Sequence, residues 1–150
     1  MKRILFVCLG NICRSPMAEF VLQHKVKERN VAHEFYIESA ATSRYEIGSD
    51  THHGTKQELF SHNIACPPRQ ARQITRSDYD HFDYIIYMDD SNHKDLLNIL
   101  GQDASRKLHK MMHFAGSNAD VADPWYTGNF SQTYKDIDLA CNALLAELGY

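Results

Sequence analysis

The chain has 150 residues, 43% apolar and 23% charged, with a formal net charge of -3; this is the balance of one soluble globular domain over residues 1–150, and a general nucleic-acid binder would be basic. No apolar run approaches the length of a membrane span, and the run after Met1-Lys2-Arg3 is too short for a signal peptide, so no membrane partner is expected. Four cysteines without regular spacing do not form a secreted disulfide framework and point to a cytoplasmic protein with reduced thiols.

Ile4-Leu5-Phe6-Val7 is a short apolar run ending at Cys8, and it predicts a strand over 3–8 buried on both faces. The stretch Cys8-Leu9-Gly10-Asn11-Ile12-Cys13-Arg14-Ser15 follows as a tight loop, in which Gly10 and Asn11 tolerate left-handed backbone. A helix then runs from about Ser15 to about Arg29, with Ser15 as its cap, Pro16 in its first turn, and Met17, Phe20 and Val21 on one face. Phe35-Tyr36-Ile37 centres a second strand over 35–40. The polar stretch 43–54 reads as loop, and a helix from Thr51 or Thr55 to His62 is stopped by Asn63 and Pro67-Pro68.

Tyr84-Ile85-Ile86-Tyr87-Met88 marks a strand over 83–88. Ser91 is placed to cap a helix with the stripe Leu96, Leu97 and Leu100, ended by Gly101. A strand over 108–114 and one long loop over 115–129 lead to the last helix. Asn129 caps it, with Gln132 three residues on as in a capping box. Phe130, Tyr134, Ile137, Cys141, Leu144, Leu145 and Leu148 then fall at helical spacing. Alternating strands and helices, four and four or five in number, imply an α/β fold with a parallel sheet covered on both faces. Ligands of such sheets bind beyond the carboxyl ends of the strands, where the loop after the first strand belongs.

The order strand, tight loop, helix N-terminus makes a site for a phosphate dianion. Its field favours a thiolate at Cys8, which reads as a nucleophile. Arg14 can grip two phosphate oxygens with its planar fork. This is the layout of a phosphatase that works through a phosphocysteine. Nine histidines raise a metal reading, but His52-His53 and His109-x3-His113 are the only suggestive spacings, and no cysteine or carboxylate cluster completes either. No metal is expected.

Six pieces occur in a fixed order across nearly the whole chain: Val7-Cys8-Leu9-Gly10-Asn11-Ile12-Cys13-Arg14-Ser15-Pro16, Ser39-Ala40-Ala41, Ala71-Arg72-Gln73-Ile74, Phe82-Asp83-Tyr84-Ile85, Met88-Asp89-Asp90-Ser91-Asn92 and Asp123-Pro124-Trp125-Tyr126. On these the sequence resembles the low-molecular-weight protein tyrosine phosphatases. The resemblance implies a four-stranded, flavodoxin-like parallel sheet of order 2-1-3-4 with helices on both faces, and no cofactor. It implies a phosphate-binding loop of Leu9, Gly10, Asn11, Ile12, Cys13 and Arg14. Phosphotyrosine proteins are then the substrates, and inorganic phosphate or other oxyanions the ligands of the loop.

The departing tyrosyl oxygen needs a proton, and a positioned acid is worth typically about 10²–10⁴ in rate. Asp123, stiffened by Pro124, is the candidate, and the resemblance makes it general acid and then base. Ser15 is placed to donate to the Cys8 sulfur. The resemblance makes Asn11 and Ser39 the pair that holds the loop, and Cys13 a partner for Cys8 in a reversible disulfide under peroxide. Asp89, at a strand end beside the loop, is a candidate to orient Arg14. Ile12, Tyr45, Trp125 and Tyr126 supply apolar cleft walls. Relatives that favour phosphoarginine carry threonine at the position of Ile12, so isoleucine favours phosphotyrosine. One departure stands out: a histidine that the family often has shortly before the Ala-Arg-Gln-Ile run is absent, and Arg69 is nearby.

Two other readings are weaker. An arsenate reductase on this scaffold needs a relay of resolving cysteines, whereas Cys66 and Cys141 are far apart in sequence. A non-catalytic phosphoprotein-binding module would be expected to lack the nucleophile or the acid, and both are present.

Overall fold

Parallel pairing of four strands organises the chain, and the computed structural model describes residues 1–150. Strand β1 (Lys2–Cys8) lies between β2 (Phe35–Ala41) and β3 (Tyr84–Tyr87), with β4 (Leu108–Lys110) outside β3. The order is β2-β1-β3-β4 and every pairing is parallel, the 2-1-3-4 sheet expected. The apolar run explains why β1 is central: Ile4, Leu5, Phe6 and Val7 are all fully buried.

Alternation along β1 separates two cores. Ile4, Phe6 and Cys8 pack with α1 (Arg14–Glu28) and α6 (Phe130–Glu147) through Met17, Val21, Ile137 and Leu144. Leu5 and Val7 pack on the other face with Ile74, Phe82 and Leu96, the last from α4 (Asp90–Leu100). The chain leaves β1 towards β2 on one side, and β3 pairs on the other. The sheet therefore changes direction at the carboxyl end of β1, where Cys8 begins its loop. No helix is long and apolar enough to cross a membrane.

Several local expectations are corrected. Helix α1 has Cys13 at its N-cap position, without a side-chain capping bond, and Ser15 lies inside the helix. Asn11 has φ 57°, but Gly10 is not left-handed, and a Cβ there would meet only ordinary contacts. Helix α2 (His53–Ser61) is capped by His52, whose ring nitrogen accepts from Gly54 N. A helix absent from the sequence reading, α3 (Arg76–His81), is opened by a reciprocal capping box between Thr75 and Asp78. Asp89, not Ser91, caps α4, in a capping box with Asn92. Strand β4 ends at Lys110 because Met111–Ala115 coils into a 3-10 helix that packs beneath α6, burying Met111 and Met112. The long loop contains a short helix, α5 (Pro124–Thr127), with Asp123 as its cap. Asn129 does cap α6, but the Gln132 side chain reaches forward to Asp136 instead of closing a box.

Candidate active site

The loop after β1 is held open by its carbonyls. Cys8 O accepts from Thr42 N, Leu9 O from Ser43 N and Oγ, Ile12 O from His52 N, and Cys13 O from Thr55 Oγ1, at 2.7–3.2 Å. With these acceptors engaged by neighbouring segments, the N–H groups of Leu9, Gly10, Ile12, Cys13 and Arg14 donate to no protein acceptor. A run of free N–H donors at the start of a helix is a strong anion site.

Cys8 and Arg14 form the floor, 3% and 2% exposed. Cys8 Sγ accepts from Asn11 N at 3.3 Å and lies 3.1 Å from Ser15 Oγ. Asn11 determines how that hydroxyl is used. Its Nδ2 donates to both Ser15 Oγ (2.7 Å) and Ser39 Oγ (2.9 Å). Ser39 donates its own proton to Glu19 Oε1. Ser15 has its acceptor side occupied, and its proton is left to point at the sulfur, with Ala40 O a longer alternative at 3.5 Å. Asn11 and Ser39, expected as loop supports, are thus joined directly.

Arg69, shortly before the Ala-Arg-Gln-Ile run, bonds the loop. Its guanidinium donates to Asn11 O at 2.9 Å and also to Asn11 Oδ1, which takes a further bond from Arg72 N at 3.2 Å. These donors fix the amide orientation and the left-handed backbone of Asn11 together. Burial works against the Arg69 charge, and Glu19, Cys8 and Asp50 oppose it only in part, so Arg69 sits below its ordinary value. Glu19 is raised, mainly by its own burial, against the bond from Ser39 and the charge of Arg69. Nothing in the sequence marks Glu19, a residue in mid-helix. Arg69 was visible only as a departure from a pattern.

Arg14 is aimed from the opposite side. Its Nη1 donates to Asp89 Oδ2 at 2.7 Å and to Val121 O at 2.8 Å, and its Nη2 lies 3.4 Å from Asp123 Oδ2. Burial disfavours its charge, but Cys8, Asp123 and Asp89 outweigh this and raise it above the ordinary arginine value. Asp123 is steadied by accepting from Trp125 N at 3.1 Å. The pair Asp123-Pro124 is an N-cap followed by a first-turn proline.

A cleft of about 200 Å³ joins the expected residues: Cys8, Leu9, Gly10, Ile12, Cys13, Arg14, Tyr45, Asp123, Trp125 and Tyr126, and also Glu46. Tyr45, Trp125 and Tyr126 are 80%, 57% and 78% exposed, so the aromatic groups form the rim while the anion site is at the bottom. Glu46, not foreseen, brings a carboxylate to the mouth and accepts from Ser49 Oγ.

The other cysteines and histidines are placed differently. Burial, with the charge of Cys8 second, pushes the Cys13 thiol up to about 12. Cys141 is fully buried on the inner face of α6 and is also pushed up to about 12 by burial. Cys66 is half-buried outside the cleft. His52 and His53 stack on each other, His109 packs between Tyr84 and Phe114, and His113 bonds Asn118.

Comparison with known proteins identifies this arrangement. The family profile for low molecular weight phosphotyrosine protein phosphatase matches residues 3–150. The chain is 37% identical over 150 residues to the low molecular weight protein-tyrosine-phosphatase YfkJ of Bacillus subtilis, covering 99% of this chain and 96% of that one. The crystal structure of YfkJ superposes with a TM-score of 0.94, over 99% of this chain and 94% of that one. A low molecular weight protein tyrosine phosphatase from Streptococcus pyogenes, SP-PTP, gives 0.90 at 39% identity, over 100% and 95% of the two chains. PtpA of Staphylococcus aureus is 36% identical over 146 residues, 97% of this chain and 92% of that one. The chain belongs to the low molecular weight protein tyrosine phosphatases, and it is a phosphatase.

Proposed function

We propose that the protein hydrolyses phosphotyrosine in proteins, and small aryl phosphates, through a phosphocysteine on Cys8. The observation that carries this is a buried cysteine and a buried arginine at the bottom of a ring of free N–H donors, with a carboxylate across the same cleft.

In the first step the Cys8 thiolate attacks phosphorus in line with the tyrosyl oxygen. The N–H groups of the loop and Arg14 bind the equatorial oxygens, over which the charge of a loose transition state spreads. Asp123, protonated, gives its proton to the leaving oxygen as the P–O bond breaks. In the second step Asp123, now a carboxylate, takes a proton from water as that water attacks the phosphocysteine. Inorganic phosphate leaves and the thiolate is regenerated, with the Ser15 proton supporting sulfur both as attacker and as leaving group. Asp89 holds Arg14 in aim, and Asn11, Ser39 and Arg69 hold the loop.

The depth of the cleft supports an aryl ester. A phosphate at the floor needs a long, flat connector to reach the rim of Tyr45, Trp125 and Tyr126, and Ile12 adds an apolar wall. Cys13 is assigned no part in turnover. After oxidation of Cys8 to the sulfenic acid, the Cys13 sulfur would displace hydroxide from it, forming a disulfide and releasing water.

Steady-state kinetics on p-nitrophenyl phosphate and phenyl phosphate test the proposal. Cys8→Ser is expected to abolish turnover on both while retaining phosphate binding. Asp123→Ala is expected to lose about 10²–10⁴ in kcat/KM on phenyl phosphate, the poor leaving group, and much less on p-nitrophenyl phosphate. Hydrolysis that survives Cys8→Ser would sink the mechanism. Equal losses in Asp123→Ala would remove Asp123 from the acid role.

A further inference from the structure

Residues 116–123, between the Met111–Ala115 3-10 helix and α5, form no helix or strand. Yet this segment carries two groups of the site: Val121 O, which accepts from Arg14, and Asp123. A segment without a backbone ladder must be held by other bonds. Backbone bonds hold it from Ser117 N to Met112 O and from Val121 N to Met88 O, and Thr133 Oγ1 reaches Ala122 O at 3.4 Å. His113 bonds Asn118 Oδ1 at 2.7 Å, and a further hold is Lys110, the last residue of β4.

The Lys110 side chain is 2% exposed. Its ammonium donates to Asp90 Oδ1 at 2.9 Å and Asn118 O at 2.9 Å, and forms an ion pair with Asp120 Oδ1 at 2.8 Å. Three oxygens thus surround one buried ammonium. Burial disfavours the charge, and the carboxylates of Asp120 and Asp90 outweigh it. The partners flank the active-site arginine on both sides. Asp90 follows Asp89, which bonds Arg14 at 2.7 Å, and Asp120 precedes Val121, which bonds it at 2.8 Å. One ammonium therefore pins the start of α4 to the segment that leads into Asp123.

We propose that Lys110 is a positioning residue for the general acid: it fixes the 118–120 segment so that Asp123 stands over the leaving-group oxygen. This rests on the reading of Asp123 as the acid. A lysine that only stabilised the fold would, when removed, weaken all substrates together. One that acts through Asp123 changes the dependence on the leaving group.

The test measures kcat/KM on phenyl phosphate and p-nitrophenyl phosphate, with inhibition by inorganic phosphate, in Lys110→Met, Asp123→Ala and the double variant. Lys110→Met is expected to lose about 10–100-fold on phenyl phosphate, the scale of a misplaced catalytic group, with little loss on p-nitrophenyl phosphate and an unchanged phosphate inhibition constant. In the Asp123→Ala background the same substitution is expected to add nothing, because the two act as one unit. Asp120 is half exposed. Asp120→Ala therefore removes one tether without disturbing the core, is expected to show the same bias at smaller size, and decides the matter if Lys110→Met does not fold. Equal losses on both substrates, or full additivity with Asp123→Ala, overturn the role of Lys110 while the acid reading stands. An Asp123→Ala enzyme without any leaving-group bias overturns the acid reading, and this assignment with it.

Discussion

Replacing Arg69 by methionine removes a side chain that bonds the phosphate loop. The guanidinium bonds both oxygens of Asn11. Without it, Asn11 Oδ1 keeps the Arg72 N–H, but Asn11 O loses its partner in a site closed by the loop itself. Stripping the donor from a buried acceptor costs about 1–3 kcal/mol. That is the same scale as the roughly 1–2 kcal/mol of left-handed backbone that the bonds hold at Asn11, whose φ is 57°. If this cost falls on the competent loop, kcat/KM drops by about 5–150-fold, at a factor of ten for each 1.36 kcal/mol. The loss should be equal for phenyl and p-nitrophenyl phosphate, since the loop binds the phosphoryl group common to both. The inhibition constant for inorganic phosphate should rise by a similar factor. Arg69→Lys keeps the charge and loses the fork, so it should fall between. Both constants unchanged in Arg69→Met would refute the reasoning.

Two further predictions concern stability. Gly54 lies in the first turn of α2, where alanine would ordinarily stabilise a helix by about 1 kcal/mol, but a Cβ there collides with the Phe130 ring. Gly54→Ala should therefore lower the thermal midpoint, and a raised midpoint would show the ring free to move. Burial opposes charge on Asp103, but bonds from Tyr79 and from Lys107 N and Leu108 N outweigh it and hold the carboxyl below the usual range. Its folded value is thus below its unfolded one, so its stabilisation is complete above the unfolded value, near 3.9, and is lost as pH falls through the folded value. Urea titrations from pH 6 down to pH 2 should show a shallower acid loss in Asp103→Asn, and an unchanged slope would rule out this source.

The sheet and the floor of the site were legible because they are local in sequence. Four apolar residues in a row make a central strand, and the cysteine, the arginine and the helix start lie within eight positions. What escaped was set by competition among similar signals. Asp89 and Ser91 can each cap α4, and Asp89 wins because its carboxylate pairs with Asn92 in a reciprocal box while also holding Arg14. Asp123-Pro124 is compatible with a turn or a helix start, and the following residues close one short helical turn that Gly128 ends at φ 70°. Strand β4 is shorter than its apolar pattern because Met111 and Met112 are apolar in either geometry, and packing beneath α6 selects the 3-10 form. Lys110 and Glu19 carry no local signal, since a buried charge is recognised only by partners that come from other segments.

The two sides of the cleft are built from separate bonds, and this has a consequence for how variants behave. Asn11, Ser39, Glu19 and Arg69 hold the phosphate loop and touch nothing on the far side. Lys110, Asp90, Asp120 and Val121 hold the acid segment, and their hydrogen bond to the loop side runs through Arg14. Changes in the first group should alter every phosphate ester alike, because each presents the same phosphoryl oxygens. Changes in the second should sort esters by the basicity of the leaving oxygen, because only the protonation step depends on it. Arg14 bonds Asp89, Val121 and Asp123 while lying in the loop itself. Its loss must therefore combine both patterns, and additivity between one variant from each side is the measure of how far Arg14 keeps the two apart.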